Sequence, residues 1–158
     1  MKFSVQLTPD EMRDAVRVGG ERQIENIMLD SRPVHGEKLE YGFHRHINGA
    51  LAEKALAKHF NLSWSKGSIG DYDVGGIVDI RQTHWKHGKL LVHEIDKDDR
   101  FIWLATGLNG FYTFHGGIFA RDAKNQKWWD NPSKWEKRYC YCVPQSKLIF
   151  PKTGAVPT

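Results

Sequence analysis

The spacing of apolar residues changes along the chain, and those changes mark its elements. Residues 3–7 (Phe-Ser-Val-Gln-Leu) alternate as a short edge strand does. Thr8-Pro9-Asp10-Glu11 is a helix start: Thr8 caps, Pro9 suits the first turn and Glu11 completes a capping box. Met12, Ala15, Val16, Ile24, Ile27 and Met28 then recur at helical spacing. Gly19-Gly20 interrupts them, so a kinked helix or two helices are expected. Residues 30–41 read as loop. The main helix is expected over about residues 48–60, rich in Ala50, Leu51, Ala55, Leu56 and Ala57.

After a polar loop over residues 61–71, Ile77, Val78 and Ile80 mark a strand. Residues 90–95 predict another. Residues 101–105 (Phe-Ile-Trp-Leu-Ala) lack polar alternation, which predicts a central strand covered on both faces. A hairpin turn at residues 107–110 leads into a strand over 111–120, bent at Gly116-Gly117. Trp128 and Trp129 are expected to cap the core, residues 139–143 to form a last strand, and the tail from Pro151 to fray. The pattern predicts one α+β domain with a mixed or mainly antiparallel sheet of four to six strands. Its parts are a helical portion over residues 1–40, a core over 41–150 and the tail over 151–158.

Composition narrows the function classes. The 158 residues are 40% hydrophobic and 27% charged, an ordinary globular balance. The formal charge of +4 permits nucleic-acid binding without demonstrating it. No apolar run reaches the length of a membrane span, and the first residues lack an apolar signal core, so a cytoplasmic protein is expected. Cys140 and Cys142 are the only cysteines and are expected to stay apart as free thiols. No CxxC or HxxxH spacing suggests zinc.

The candidate chemistry lies between Gly49 and Thr83. Glu53 is the only acid between Tyr41 and Asp71. Helical spacing puts it beside the apolar stripe, although an exposed glutamate pairing with Lys54 or Lys58 satisfies that spacing better. Asp71 and Asp73 follow, then Gly75-Gly76 and a strand carrying Asp79 and Arg81. Strand parity puts Asp73, Asp79 and Arg81 on one face only if the glycines bend the chain without reversing it. A two-residue turn would pair Val74 with Ile77 and separate the two aspartates. Oxygen ligands of this kind suit Mg²⁺ or Mn²⁺. Arg13, Arg17 and Arg22 are expected on a solvated helix face. Arg45, Lys66, His84, Lys86 and Lys89, with His87, flank the stretch and are candidates for tracking a nucleic-acid backbone.

At Glu53, Asp73 and Asp79-Ile80-Arg81 the chain resembles the PD-(D/E)XK, or restriction-endonuclease-like, nuclease superfamily. Over about residues 48–148 it is also similar to small proteins of phages and bacteria with a DVGGxxVRT-like strand. The counterparts here are Asp73-Val74-Gly75-Gly76, Asp79-Ile80-Arg81, the acidic loop over residues 96–99, Gly116-Gly117-Ile118 and Val143-Pro144-Gln145. The resemblance implies a Mg²⁺- or Mn²⁺-dependent nuclease that hydrolyses phosphodiester bonds, with DNA the expected substrate. Glu53, Asp73 and Asp79 would be the metal ligands and Arg81 the basic catalytic residue. The superfamily's basic residue is typically lysine; Arg81 can stabilise charge but is a poor general base. The helix and parallel strand that usually follow the third core strand are not evident. The alternatives are an inactive nuclease-fold module that binds nucleic acid or a host protein, and a histidine-based metallonuclease. A dimer is compatible with either.

Overall fold

The computed structural model describes residues 1–29, 41–64, 74–76, 78–133 and 137–157. Its elements are β1 (Phe3–Gln6), α1 (Pro9–Met28), α2 (Gly42–Phe60), β2 (Val78–Thr83), β3 (Leu90–Val92), β4 (Phe101–Leu108), β5 (Phe111–Phe119), α3 (Ala120–Ala123), β6 (Trp129–Asp130) and β7 (Cys140–Val143). This is an α+β fold in three layers.

The first layer is the helix pair. Thr8 Oγ1 accepts from Glu11 N (3.2 Å), and the Glu11 carboxylate accepts from Thr8 N (3.1 Å), so the predicted capping box is made. α1 runs through Gly19-Gly20 as one helix rather than two. The first glycine serves packing: a Cβ there would lie 2.6 Å from Ile47 Cα, because α2 crosses the α1 backbone at that point. α2 begins earlier than residue 48 and takes in His44, Arg45 and His46. It ends at Asn61 in the left-handed conformation (φ 52°).

The second layer is a four-stranded mixed sheet in the order β1-β5-β4-β2. β4 is central, and its residues from Phe101 to Thr106 are all buried, as the unbroken apolar run predicted. Phe101 and Trp103 face the helices with Val78, Ile80 and Leu56. Ile102 and Leu104 face the opposite way, into a second core with Leu90, Val92 and Val143. The third layer, an antiparallel sheet in the order β3-β7-β6, closes that core. The single sheet expected from the sequence is thus two sheets back to back.

The β4–β5 hairpin forms as expected, with Asn109 (φ 56°) and Gly110 (φ 88°) as its two central turn residues. β4 also runs parallel to β2, a partner the sequence did not reveal; the intervening chain crosses through β3.

Two expectations are corrected. The tail does not fray: Ala155 is buried, its carbonyl accepts from Trp103 Nε1 (2.7 Å), and Phe150 and Val156 pack on the core. Cys140 and Cys142 are free thiols but not held apart. Residues two apart on a strand share a face, and the sulfur atoms lie 3.8 Å from each other.

Candidate functional site

Glu53 lies in the fourth turn of α2, among Ala50, Leu51, Ala52 and Ala55, all buried. It is buried too, contrary to the exposed glutamate that helix spacing favoured. The lysines expected to pair with it reach α1 instead: Lys54 bonds Asp14 (3.2 Å) and Lys58 bonds Glu11 (2.8 Å). Glu53 takes Arg22, whose Nη1 donates to Oε1 at 2.8 Å. Trp64, just past the end of α2, donates its indole N–H to Oε2 at 3.0 Å. Arg22 was expected on a solvated face with Arg13 and Arg17. Those two do make exposed pairs with Asp10 and Asp14, but only 16% of the Arg22 side chain is exposed.

Asp79 lies near the start of β2, the edge strand next to β4, with its side chain 3% exposed. Arg100, the residue before β4, donates to its Oδ2 at 2.7 Å. The parallel register sets Val78 beside Phe101, so Arg100 arrives next to Asp79. Burial pushes the Glu53 carboxyl above the usual carboxylate range; Arg22 and the Trp64 N–H oppose that rise, and the negative charge of Asp79 adds to it. Each of the two carboxylates has its own guanidinium.

Arg81, two residues along β2, turns to a third acid. Its Nη2 donates to Asp96 Oδ1 at 2.8 Å, while Asp96 Oδ2 accepts from His93 N at 2.8 Å. Burial raises the Asp96 carboxyl, but Arg81 and the His93 N–H outweigh it and hold it below the usual range. Arg81 lines an open cleft of about 480 Å³ between β2 and the three-stranded sheet; neither Glu53 nor Asp79 is on its wall.

The Gly75-Gly76 turn follows neither sequence expectation. The chain reverses there, and Val74 bridges Val78, not Ile77, in antiparallel fashion. Both glycines have positive φ (58° and 73°), and Gly75 N donates to Ser63 O at 3.0 Å, tying the turn to the segment that carries Trp64. Asp73, Asp71 and Lys66 lie outside the described residues. Of the other basic candidates, Arg45 lies near the start of α2 with its Nη2 3.2 Å from His46 Nε2. His84 and Lys86 are exposed beyond the end of β2, as is Lys89.

Among the described residues, no group of three or more His, Cys, Asp or Glu side chains is placed to hold a metal ion. Glu53 and Asp79 supply two carboxylates, so a hard-ion site here needs a third oxygen ligand. No helix among the described residues is long and apolar enough to cross a membrane. No protein-family model, curated protein or solved structure matches the chain.

Proposed function

We propose that the protein is a metal-dependent phosphodiesterase acting on nucleic acid, with DNA as the expected substrate. The observation that carries this reading is the pair of buried carboxylates, Glu53 from a helix and Asp79 from an edge strand, with the negative charge of Asp79 adding to the rise of the Glu53 carboxyl. Buried ion pairs contribute little to stability against an apolar replacement, and a perturbed carboxyl such as that of Glu53 is characteristic of functional sites. Mg²⁺ or Mn²⁺, held by Glu53 and Asp79 with Asp73 as third ligand, would supply the Lewis acid and an activated water.

The chain's own side chains do the rest. Arg22 and Arg100 balance the two carboxylates, and Trp64 fixes the free edge of Glu53. Asp96 orients Arg81 so that its charge faces the cleft, where it can meet a phosphate. Arg81 keeps its proton at any ordinary pH and so stabilises charge instead of acting as base.

The test is cleavage of single-stranded and duplex DNA and RNA with Mn²⁺ or with EDTA. Mn²⁺-dependent cleavage is expected, and Asp79→Asn should abolish it while the circular dichroism spectrum is unchanged. A folded wild-type protein that cuts none of the four substrates with Mn²⁺ would sink the reading.

One observation favours a second reading. Arg22 and Arg100 already stand against the two carboxylates, as they would in a module that binds nucleic acid without cutting it. That module predicts affinity that survives EDTA and falls steeply between two salt concentrations as counterions are released.

A further inference from the structure

The cleft beside Arg81 is a built site. Its volume of about 480 Å³ lies within the ~300–1,000 Å³ typical of small-molecule pockets. Its floor is apolar, with Leu91, Leu104 and Cys142, and Pro132 joins them. Arg81 and Lys89 bring positive charge to the wall, and Asp130 is its only carboxylate among the described residues. Arg81 donates from Nη2 to Asp96, and its buried Nε has no hydrogen-bond partner among the described residues.

The rim carries Trp85, 68% exposed, on the turn after β2. That turn is held rigidly for a surface loop. Gly88 N donates to Trp85 O at 2.9 Å, and Trp85 N to Thr83 Oγ1 at 3.3 Å. Gln145, beyond β7, donates its amide to Lys86 O (2.9 Å) and Gly88 O (3.0 Å). An exposed indole on a pinned turn is a stacking platform whose ordering cost is already met in the free protein.

We propose that this cleft binds one nucleoside monophosphate unit, its phosphate against Arg81 and Lys89 and its base against Trp85. Among the described lining residues, the cations Arg81 and Lys89 and the carboxylate of Asp130 call for a ligand with both an anion and hydrogen-bond donors. A nucleotide has both, and its flat base matches the apolar floor and the indole. The identification rests on the nucleic-acid reading above for where the unit comes from: the phosphorylated end of a strand, or a free mononucleotide.

The experiment is calorimetric titration of the whole protein in EDTA with AMP, dAMP, adenosine and inorganic phosphate. The mononucleotides should bind at least tenfold more tightly than adenosine or phosphate. Trp85→Ala and Lys89→Met, both at exposed positions, should each weaken that binding tenfold or more. No mononucleotide binding, equal affinity for phosphate alone, or affinity unmoved in both variants would overturn the proposal. A short single strand with a 5′-phosphate, compared with its 5′-hydroxyl form, identifies the source: a preference for the phosphorylated strand marks a strand end, and binding of the free mononucleotide alone marks a free nucleotide. Because the titration contains no metal, it is independent of turnover. Binding without cleavage retires the phosphodiesterase and keeps the cleft; cleavage without binding does the reverse.

Discussion

Removing Arg22 tests whether the buried charges are arranged as described. In Arg22→Met the apolar stem is kept and the guanidinium lost, leaving Glu53 buried with the Trp64 N–H and near Asp79. At the observed 2.8 Å, with an effective dielectric constant of about 20, the direct attraction is about 6 kcal/mol. Desolvation of both partners offsets part of it, so the net loss should be about 3–5 kcal/mol, the range found when one partner of a buried pair is removed. For a chain of this size that is roughly a 6–20 °C fall in Tm. Glu53→Gln keeps an acceptor for Trp64 and should cost less. The double variant should recover much of the Arg22→Met loss, with a coupling of about 2–3 kcal/mol.

The pH dependence follows from the same geometry. Glu53 already lies above the ordinary value of 4.5, and losing Arg22 raises it further. Below the ordinary value both folded and unfolded carboxyls are protonated, and the buried charge costs nothing. As pH rises through the gap, the unfolded chain releases its proton first, and stability falls until the folded value is passed. Arg22→Met should therefore lose more stability than wild type between pH 5 and pH 8, and adding Glu53→Gln should remove the excess. Urea unfolding at the two pH values measures this. A loss under about 1 kcal/mol, or one equal at both pH values, would refute the account.

Two further predictions are simpler. Gly20→Ala meets nothing within 4 Å and should stabilise α1 by roughly 0.5–1 kcal/mol, whereas Gly19→Ala, 2.6 Å from Ile47 Cα, should destabilise by about 1–3 kcal/mol; thermal melts decide both signs. His46 is held down to about 4 by burial and by the charges of Arg45 and Arg22, and its Nε2 must accept where Arg45 approaches, so its NMR titration should fall well below the ordinary range. Stability should then decline as pH drops from 6.5 toward 4, because the unfolded histidine takes up its proton first, and His46→Gln should flatten that decline.

The sequence disclosed what local rules govern. The Thr8–Glu11 box, the Asn109-Gly110 hairpin and the doubly covered β4 each follow from neighbouring residues or one strand's composition. What it hid depends on partners distant in the chain. The Gly19-Gly20 pair reads as a helix breaker until a second helix crosses the first of them, because propensity ignores packing. The parallel pairing of β2 with β4 and the splitting of the strands into two sheets are topological choices, and alternation within one strand is silent on them. The tail looked free because nothing local shows that Trp103 needs a carbonyl partner.

The site was half legible for the same reason. Glu53 and Asp79 stand out as acids in apolar surroundings, but Arg22 lies 31 residues before the first and Arg100 lies 21 after the second. No spacing rule connects them. A cluster of carboxylates without a cation would argue for a metal; here the chain supplies cations of its own, so burial alone does not separate the hydrolytic from the non-hydrolytic reading. The atoms that separate them are at Asp79. A guanidinium N–H and a metal–oxygen bond compete for a carboxylate edge, and Arg100 already holds Oδ2 at 2.7 Å. Hydrolysis requires Asp79 to share its carboxylate between that contact and an ion. Binding without hydrolysis requires only that Arg100 stay where it is.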